Sequence, residues 1–431
     1  MTSERRHVLH LLICLVTFPS MNRVILINFS GGDRPGLTSS LAAILGAYHV
    51  RILDIGQAVV HETLALAILV EVPPGEEFTP LKKDLIVKAH DLDLKIKFTP
   101  VSEEAFDHWV RSQGKFRFII SVLGRLITAE QLAKISTAIS HHALNIDRIE
   151  RLSGRLSLTG RTENANACIE LECSGESDSA VQLRSALMDL THQFDIDIAF
   201  QRESIYRRNR RLVAFDMDST LIQAEVIDEL AKLHGVGDQV SAITSAAMRG
   251  ELDFKQSFTN RVSLLRGLPA QRVQEVLHSV PLADGAERLV STLKMLGYKT
   301  AILSGGFTFF GKHLQLRLGI DHVFANELEI EDGVVTGRVA GEIVDGKKKA
   351  ELLEAIARTE NISLDQVVAV GDGANDLPML NIAGMGIAFH AKPLVRQSAN
   401  HAVSHLGLDS ILYLIGVRDR DLDKVRSSSA D

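Results

Sequence analysis

The sequence is poor in cysteine, in any excess of basic residues and in long apolar runs, and each shortage closes off a class of function. Only three of its 431 residues are cysteine: Cys14, Cys168 and Cys173. Cys168 and Cys173 stand five apart in a strand-like run, ACIELEC, so they face opposite sides and cannot pair. A disulfide framework and a cysteine metal site are both excluded, and a reducing cytoplasm fits. The formal charge of −7 argues against nucleic acid as the main partner, because that binding needs a basic face. No apolar run has the length of a membrane span. The nearest, MTSERRHVLHLLICLVTFPS at residues 1–20, has the basic start of an export signal, but Phe18-Pro19-Ser20 is a poor small-residue cleavage site. We expect an upstream extension there. The histidines, His141-His142 included, lack a metal-ligand spacing such as HExxH.

What is present is an ordinary globular composition, 45% hydrophobic and 23% charged, in a chain long enough for two to four domains. Arg23–Phe29 predicts a strand, Gly31–Gly36 a turn, and Leu37, Leu41, Ile44 and Leu45 a helix. Two strands follow between Val50 and Val72 around His61-Glu62, then a helix near Pro80–His90 and an alternating strand from Leu92 to Phe98. That order is βαββαβ, over residues 21–102. It recurs over residues 114–200, with strands at Phe116–Val122, Leu144–Ile149, Cys168–Cys173 and Ile196–Phe200. A capping box at Thr128–Gln131 opens its first helix, and Ser179–Gln193 is the second. Gln201–Arg211, with Arg207, Arg208, Arg210 and Arg211, reads as a solvated linker rather than a nucleic-acid patch.

The rest of the chain is organised around LVAFDMDSTLI, Leu212–Ile222. Leu212–Phe215 reads as a strand buried on both faces, with Asp216 and Asp218 at its mouth, where open α/β sheets bind ligands. Three complementary pieces follow in order. The strand Tyr298–Leu303 leads to Ser304-Gly305-Gly306, a hydroxyl and unhindered amides suited to a phosphate oxygen. Lys347-Lys348-Lys349 opens a helix. The strand Val367–Val370 ends at Gly371-Asp372-Gly373-Ala374-Asn375-Asp376. These four motifs together resemble the haloacid dehalogenase superfamily of phosphotransferases. The two leading units resemble ACT domains, small amino-acid-sensing modules. The first carries an Asp33-Arg34-Pro35-Gly36 turn that the second lacks, and dimerisation and ligand sensing both remain open as roles.

The resemblance implies an α/β fold: a doubly wound parallel sheet over residues 212–224 and 284–416, with two ferredoxin-like βαββαβ domains in front; the charged, serine-rich tail at 417–431 is expected to be mobile. It also implies a chemistry that these residue types suit. Phosphate monoesters hydrolyse so slowly unaided that catalysed enhancements approach ~10²¹, and a covalent aspartyl phosphate divides the barrier. Asp216 is then the nucleophile and Asp218 the group that gives and takes the proton, with a pKa above the usual ~3.9. Oxygen ligands without thiols specify Mg²⁺, held by Asp216, Asp372 and the backbone carbonyl of Asp218. Asp376 would orient that shell. Lys349, Ser304, Gly305 and Asn375 would hold the phosphoryl group.

The chain between Ile222 and Ser304 is far too long for a simple crossover. Four predicted helices, near Val226–Leu233, Gln239–Met248, Phe254–Leu265 and Arg272–Ser279, make residues 225–283 an inserted cap that excludes water. Here Glu225, Met248, Phe254 and Arg261 have the spacing found in phosphoserine phosphatases. The implied partners are the ammonium of phosphoserine for Glu225 and its carboxylate for Arg261, with Met248 and Phe254 as an apolar wall. The resemblance therefore points to a cytoplasmic, Mg²⁺-dependent phosphatase making L-serine. A homodimer and an amino-acid effector at the ACT-like units are further expectations, with neither nucleic acid nor membrane as partner. Two alternatives stay open: transfer of the phosphoryl group to another alcohol, and an amino-acid sensor with a silent phosphatase half. Gly306–Lys312 has the spacing of a nucleotide P-loop, but His313 replaces the Ser or Thr and aromatics fill the loop, so that reading is rejected.

Overall fold

The structure, a computed structural model, describes residues 24–73, 78–112, 114–155, 166–175, 179–399 and 401–422. Residues 1–20 and Cys14 lie outside that set. The chain divides into two compact units, 1–114 and 115–431.

In the first unit, strands β1 (Val24–Gly32), β2 (Arg51–Val60), β3 (Thr63–Glu71) and β4 (Leu94–Val101) form an antiparallel sheet in the order β2-β3-β1-β4. The period-two pattern of β3 buries Leu64, Leu66, Ile68 and Val70 on one face. Helices Leu37–Ala47 and Phe78–Asp91 cover that face, burying Leu37, Leu41 and Leu45, and Leu81, Leu85 and Ala89, at helical spacing. The hairpin turns at His61-Glu62, as expected, with His61 at φ 57°. A helix not expected from sequence, Glu103–Ser112, buries none of its residues.

The second unit opens with the same architecture. Strands β5 (Phe116–Gly124), β6 (Asn145–Arg151), β7 (Ala167–Gly175) and β8 (Asp197–Arg202) pair in the order β6-β7-β5-β8. Helices Ala129–His141 and Ser179–Gln193 complete the fold, and the capping box forms: Gln131 N–H donates to Thr128 Oγ1 at 3.2 Å and Thr128 N–H to Gln131 Oε1 at 2.8 Å. Cys168 and Cys173 are both free and sit on opposite faces of β7, in different hydrophobic clusters.

A seven-stranded sheet follows. Its strands are β9 (Leu212–Phe215), β10 (Lys299–Phe307), β11 (His322–Glu331), β12 (Val334–Ala340), β13 (Val367–Gly371), β14 (Met385–Phe389) and β15 (His401–Val403), in the order β12-β11-β10-β9-β13-β14-β15. All neighbours are parallel except the β11–β12 hairpin. Every residue of β9 is buried. After Ile222 the chain leaves the sheet for four helices, Val226–His234, Gly237–Met248, Phe254–Ser263 and Ala270–Ser279. Its exit and return are stitched together: Ile222 bridges Leu282, and Ala283 N–H donates to the Leu221 carbonyl at 2.9 Å.

Three expectations need correction. Ser304-Gly305-Gly306 does not end its strand, because β10 continues to Phe307. The arginine-rich stretch 201–211 is not uniformly solvated. Arg207 is 3% exposed and ion-paired with Glu170, and Arg210 is buried against the carbonyls of Asp365 and Gly384. The start of the tail is packed, not mobile: Asp419 accepts from Gly154 N–H, Tyr413 O–H and Arg288 at 2.7, 2.8 and 3.0 Å.

Candidate active site

The carboxyl ends of three neighbouring strands, β10, β9 and β13, converge on one cleft of about 1180 Å³ beneath the helical cap. Asp216 follows the last residue of β9, and its Oδ1 accepts the Met217 N–H at 2.7 Å. The loop then tightens, with Thr220, Leu221 and Ile222 all donating to the Met217 carbonyl and Ser219 at φ 55°. That turn brings Asp218 back beside Asp216, where its Oδ1 accepts the N–H of Val226, the first residue of the first cap helix. Asp218 is thereby tied to the cap as well as to the sheet.

Lys349 projects from the first turn of helix Gly346–Thr359, which Asp345 caps by accepting the Lys348 N–H at 2.8 Å. It is wholly buried, with Nζ 2.8 Å from Asp216 Oδ1 and 2.6 Å from Asp376 Oδ1. Asp376 also accepts the Gly373 N–H at 2.9 Å through its other oxygen. Asp372 accepts from Thr220 Oγ1 at 3.3 Å. Thr220 lies inside the recognised motif, yet only the fold shows that its hydroxyl reaches across to β13. Ser304 is buried and accepts the Gly306 N–H at 2.9 Å, and Gly305, Gly306 and Asn375 line the cleft. Phe254 explains the glycine at 305, since its ring would lie 2.8 Å from a Cβ placed there.

Electrostatically the cleft holds more negative charge than its lysine balances. Burial, then Glu225 and Asp216, drive the Asp218 carboxyl well above the ordinary carboxylate range, which favours its protonated form. Burial, then Asp216, push Asp372 up to about 8 and Asp376 to about 7. Burial opposes the charge on Lys349, but Asp216 and Asp376 outweigh it and hold the ammonium above the usual lysine range. Carboxylate oxygens of Asp216, Asp372 and Asp376 lie within 4.8 Å of one another. An all-oxygen cluster with uncompensated charge fits a hard divalent cation.

The cap contributes Glu225, Phe254 and Arg261 to the same cleft, and Met248 at its mouth, where it is 65% exposed. Glu225 is reachable by solvent through the open mouth but closely hemmed by protein, and burial followed by Asp216 raises its pKa. Its Oε1 accepts from Ser219 Oγ at 3.3 Å. The Nε of Arg261 is buried without a hydrogen-bond partner among the described residues, a donor awaiting an acceptor. Asp228, which sequence reasoning missed, lines the cleft beside these groups. Lys255 of the cap pairs with Asp345 at 3.0 Å, a further contact between cap and sheet that spacing alone did not reveal. Among the described residues no helix is long and apolar enough to cross a membrane.

Comparison with known proteins identifies the domains that carry this cleft. The family model of haloacid dehalogenase-like hydrolases matches residues 210–384, and ACT-domain models match residues 23–99 and 117–201. A phosphoserine phosphatase of Streptomyces coelicolor is 42% identical over 409 residues, covering 94% of this chain and 95% of that protein. Phosphoserine phosphatase SerB2 of Mycobacterium tuberculosis is 38% identical over 400 residues, covering 93% and 94%. Among solved structures, a probable phosphoserine phosphatase from Vibrio cholerae is 36% identical, with a TM-score of 0.55 over 69% of this chain and 86% of its own. Two ACT domains, a capped haloacid dehalogenase-like hydrolase core and likeness along almost the whole length lead to one conclusion: the chain belongs to the phosphoserine phosphatase family.

Proposed function

We propose that the chain hydrolyses O-phospho-L-serine to L-serine and phosphate through a phosphoenzyme on Asp216. The observation that carries this reading is the meeting, in one cleft, of paired Asp216 and Asp218 with the cap's Glu225 and Arg261. An Asp216 oxygen attacks phosphorus, the bond from phosphorus to the seryl oxygen breaks, and Asp218 delivers its proton to that oxygen. Water then attacks the same phosphorus, its proton passes to Asp218, and the bond to Asp216 breaks. Lys349, the Ser304 hydroxyl and the Gly305 amide take up the charge on the phosphoryl oxygens, with Asn375 beside them. Glu225 receives the substrate ammonium and Arg261 its carboxylate, while Phe254 and Met248 enclose the carbon skeleton. Mg²⁺ would be held by Asp216, Asp372 and the Asp218 carbonyl, with Asp376 orienting the shell, and would supply charge neutralisation at the phosphoryl group.

Rapid quenching with labelled phosphoserine tests the covalent step. The expected adduct is acid-stable and hydroxylamine-sensitive, it maps to Asp216, and Asp216→Asn abolishes both adduct and turnover. Near-wild-type turnover by that variant would remove Asp216 from the role.

Three coarser assignments accompany this one. Amino-acid binding at the turn of the first ACT domain is supported by the match of residues 23–99 to that family and by a turn in which Gly36 stands at φ 90° and Thr38 donates to Gln57 at 2.9 Å. A homodimer is supported by apolar residues exposed on β2 of the first unit, Ile52, Ile55 and Val60. A cytoplasmic site of action in serine biosynthesis is supported by the free thiols of Cys168 and Cys173. Light scattering of the purified chain tests the dimer, and calorimetry with free amino acids tests the sensor.

A further inference from the structure

The groups that would grip the phosphoryl group come from separate stretches, Ser304 and Gly305 from β10 and Lys349 from helix Gly346–Thr359. One side chain joins the two. Asn326 on β11 is 2% exposed; its Nδ2 donates to the Gly305 carbonyl at 2.8 Å, and its Oδ1 accepts the Val344 N–H at 2.8 Å.

Each bond has a consequence. The Gly305 carbonyl shares a rigid peptide plane with the Gly306 N–H, and that N–H donates to Ser304 Oγ. Anchoring the carbonyl therefore fixes the amide on the serine oxygen. With a lone pair so occupied, Ser304 must donate its own proton elsewhere, and no described residue accepts it. A phosphoryl oxygen bound in the cleft would supply that acceptor. At the other end, Val344 immediately precedes Asp345, the cap of the helix that bears Lys349. Holding Val344 fixes where that helix begins.

We propose that Asn326 is a positioning residue for phosphoryl transfer, setting the Ser304 hydroxyl and the Lys349 ammonium at a fixed spacing across the phosphoryl group. It touches neither substrate nor reacting atoms. The inference rests on the phosphatase reading above and adds a residue that none of the recognised motifs contains.

The test uses the full chain with Asn326→Ala, Asn326→Asp and Ser304→Ala, and the double variant of Asn326→Ala with Ser304→Ala. Asn326→Asp still accepts from Val344 but cannot donate to Gly305, and it serves in the cycle should Asn326→Ala fold poorly. Because misplacement of about 1 Å can cost ~10²-fold, kcat on phosphoserine should fall roughly 30- to 100-fold in either variant. KM should stay within about threefold, since Glu225 and Arg261 sit on the cap. In the Ser304→Ala background the same substitution should cost less than about fivefold, the non-additivity expected of residues acting as one unit. Independent multiplication of the two effects, or a rise in KM with kcat unchanged, would overturn the proposal. An aryl phosphate is run in parallel. If the wild-type chain turns over only that ester, the substrate assignment fails while the aryl ester still decides the role of Asn326.

Discussion

Lys349→Met is the substitution whose effects can be worked through most fully. The ammonium is wholly buried between Asp216 and Asp376, at 2.8 and 2.6 Å. At an effective dielectric constant of about 20, each contact corresponds to an attraction of roughly 6 kcal/mol, before the cost of removing three charges from water is subtracted. That cost offsets much of the gain, but removing one partner alone leaves the others buried and uncompensated, which costs about 3–5 kcal/mol. The variant should be destabilised by that amount near pH 8. The sign of the pH dependence follows from the carboxylates left behind. Of these, Asp376 is already raised to about 7, above the unfolded value of about 3.9, so the folded state holds a proton that the unfolded state releases. The deficit is therefore small at acid pH and grows as pH rises through the raised folded value. Activity should fall at least ~10³-fold, since a charge-stabilising donor aimed at the transition state is lost. Denaturant midpoints at pH 5, 6.5 and 8, with phosphate release at each pH, provide the measurement. A variant that keeps kcat within about tenfold of wild type and shows a pH-independent midpoint would refute the electrostatic account of this lysine.

Three further outcomes are expected. Arg261→Ala should lower kcat/KM on phosphoserine by more than ~100-fold but on an aryl phosphate lacking the carboxylate by less than about tenfold; equal losses would remove the carboxylate role. Burial, then Arg184 and Arg210, hold His401 down at about 3, whereas an unfolded histidine takes its proton near about 6.5. The stability it contributes is intact above that pH and is lost toward pH 3 at up to ~1.4 kcal/mol per pH unit, so His401→Leu should flatten the acid limb of a urea midpoint profile. Arg207→Ala should cost about 3–5 kcal/mol by stranding Glu170, while replacing both by methionine should recover most of it; a double variant no more stable than the single one would count against that pair.

Most of the site was legible because its chemistry is local in sequence. Asp216 and Asp218 stand two apart at a strand end, Lys349 opens a helix, and Asp372 and Asp376 close a third strand, so period and spacing place them without knowledge of the fold. The cap helices were legible for the same reason: Val226, Leu230 and Ala231 recur at helical spacing and are buried. What escaped was polar burial whose partner lies far along the chain. Asn326 looks like any strand residue until Gly305 and Val344 arrive on either side of it. Arg207 and Arg210 have the composition of a solvated linker, and only Glu170, Asp365 and Gly384 make their burial affordable. Helix Glu103–Ser112 does carry an apolar stripe, Phe106, Trp109 and Val110 at helical spacing, but it buries none of its residues and the reading by strand and helix order ended the unit before it.

Long-range polar contacts of the same kind tie the second ACT domain to the central sheet. Its β7 and β8 contribute Cys168 and Ala199 to the hydrophobic cluster that also contains Val213 and Phe215 of β9. Around that shared core, Asp197 of β8 accepts the backbone N–H groups of Ser404 and His405, just past β15, at 2.8 and 3.0 Å. Glu150 pairs with Arg418 at 3.1 Å, and Gln201 donates to the Leu414 carbonyl at 3.1 Å. Asp197 and Gln201 are buried and would be stranded without these partners, whereas Glu150 keeps Arg148, so separating the domain from the sheet would expose apolar core and orphan the buried groups together. A domain held in this way cannot swing as a free sensor on a linker. A signal from it to Asp216 would then run by a shift of packed elements rather than by the docking and undocking of a mobile module.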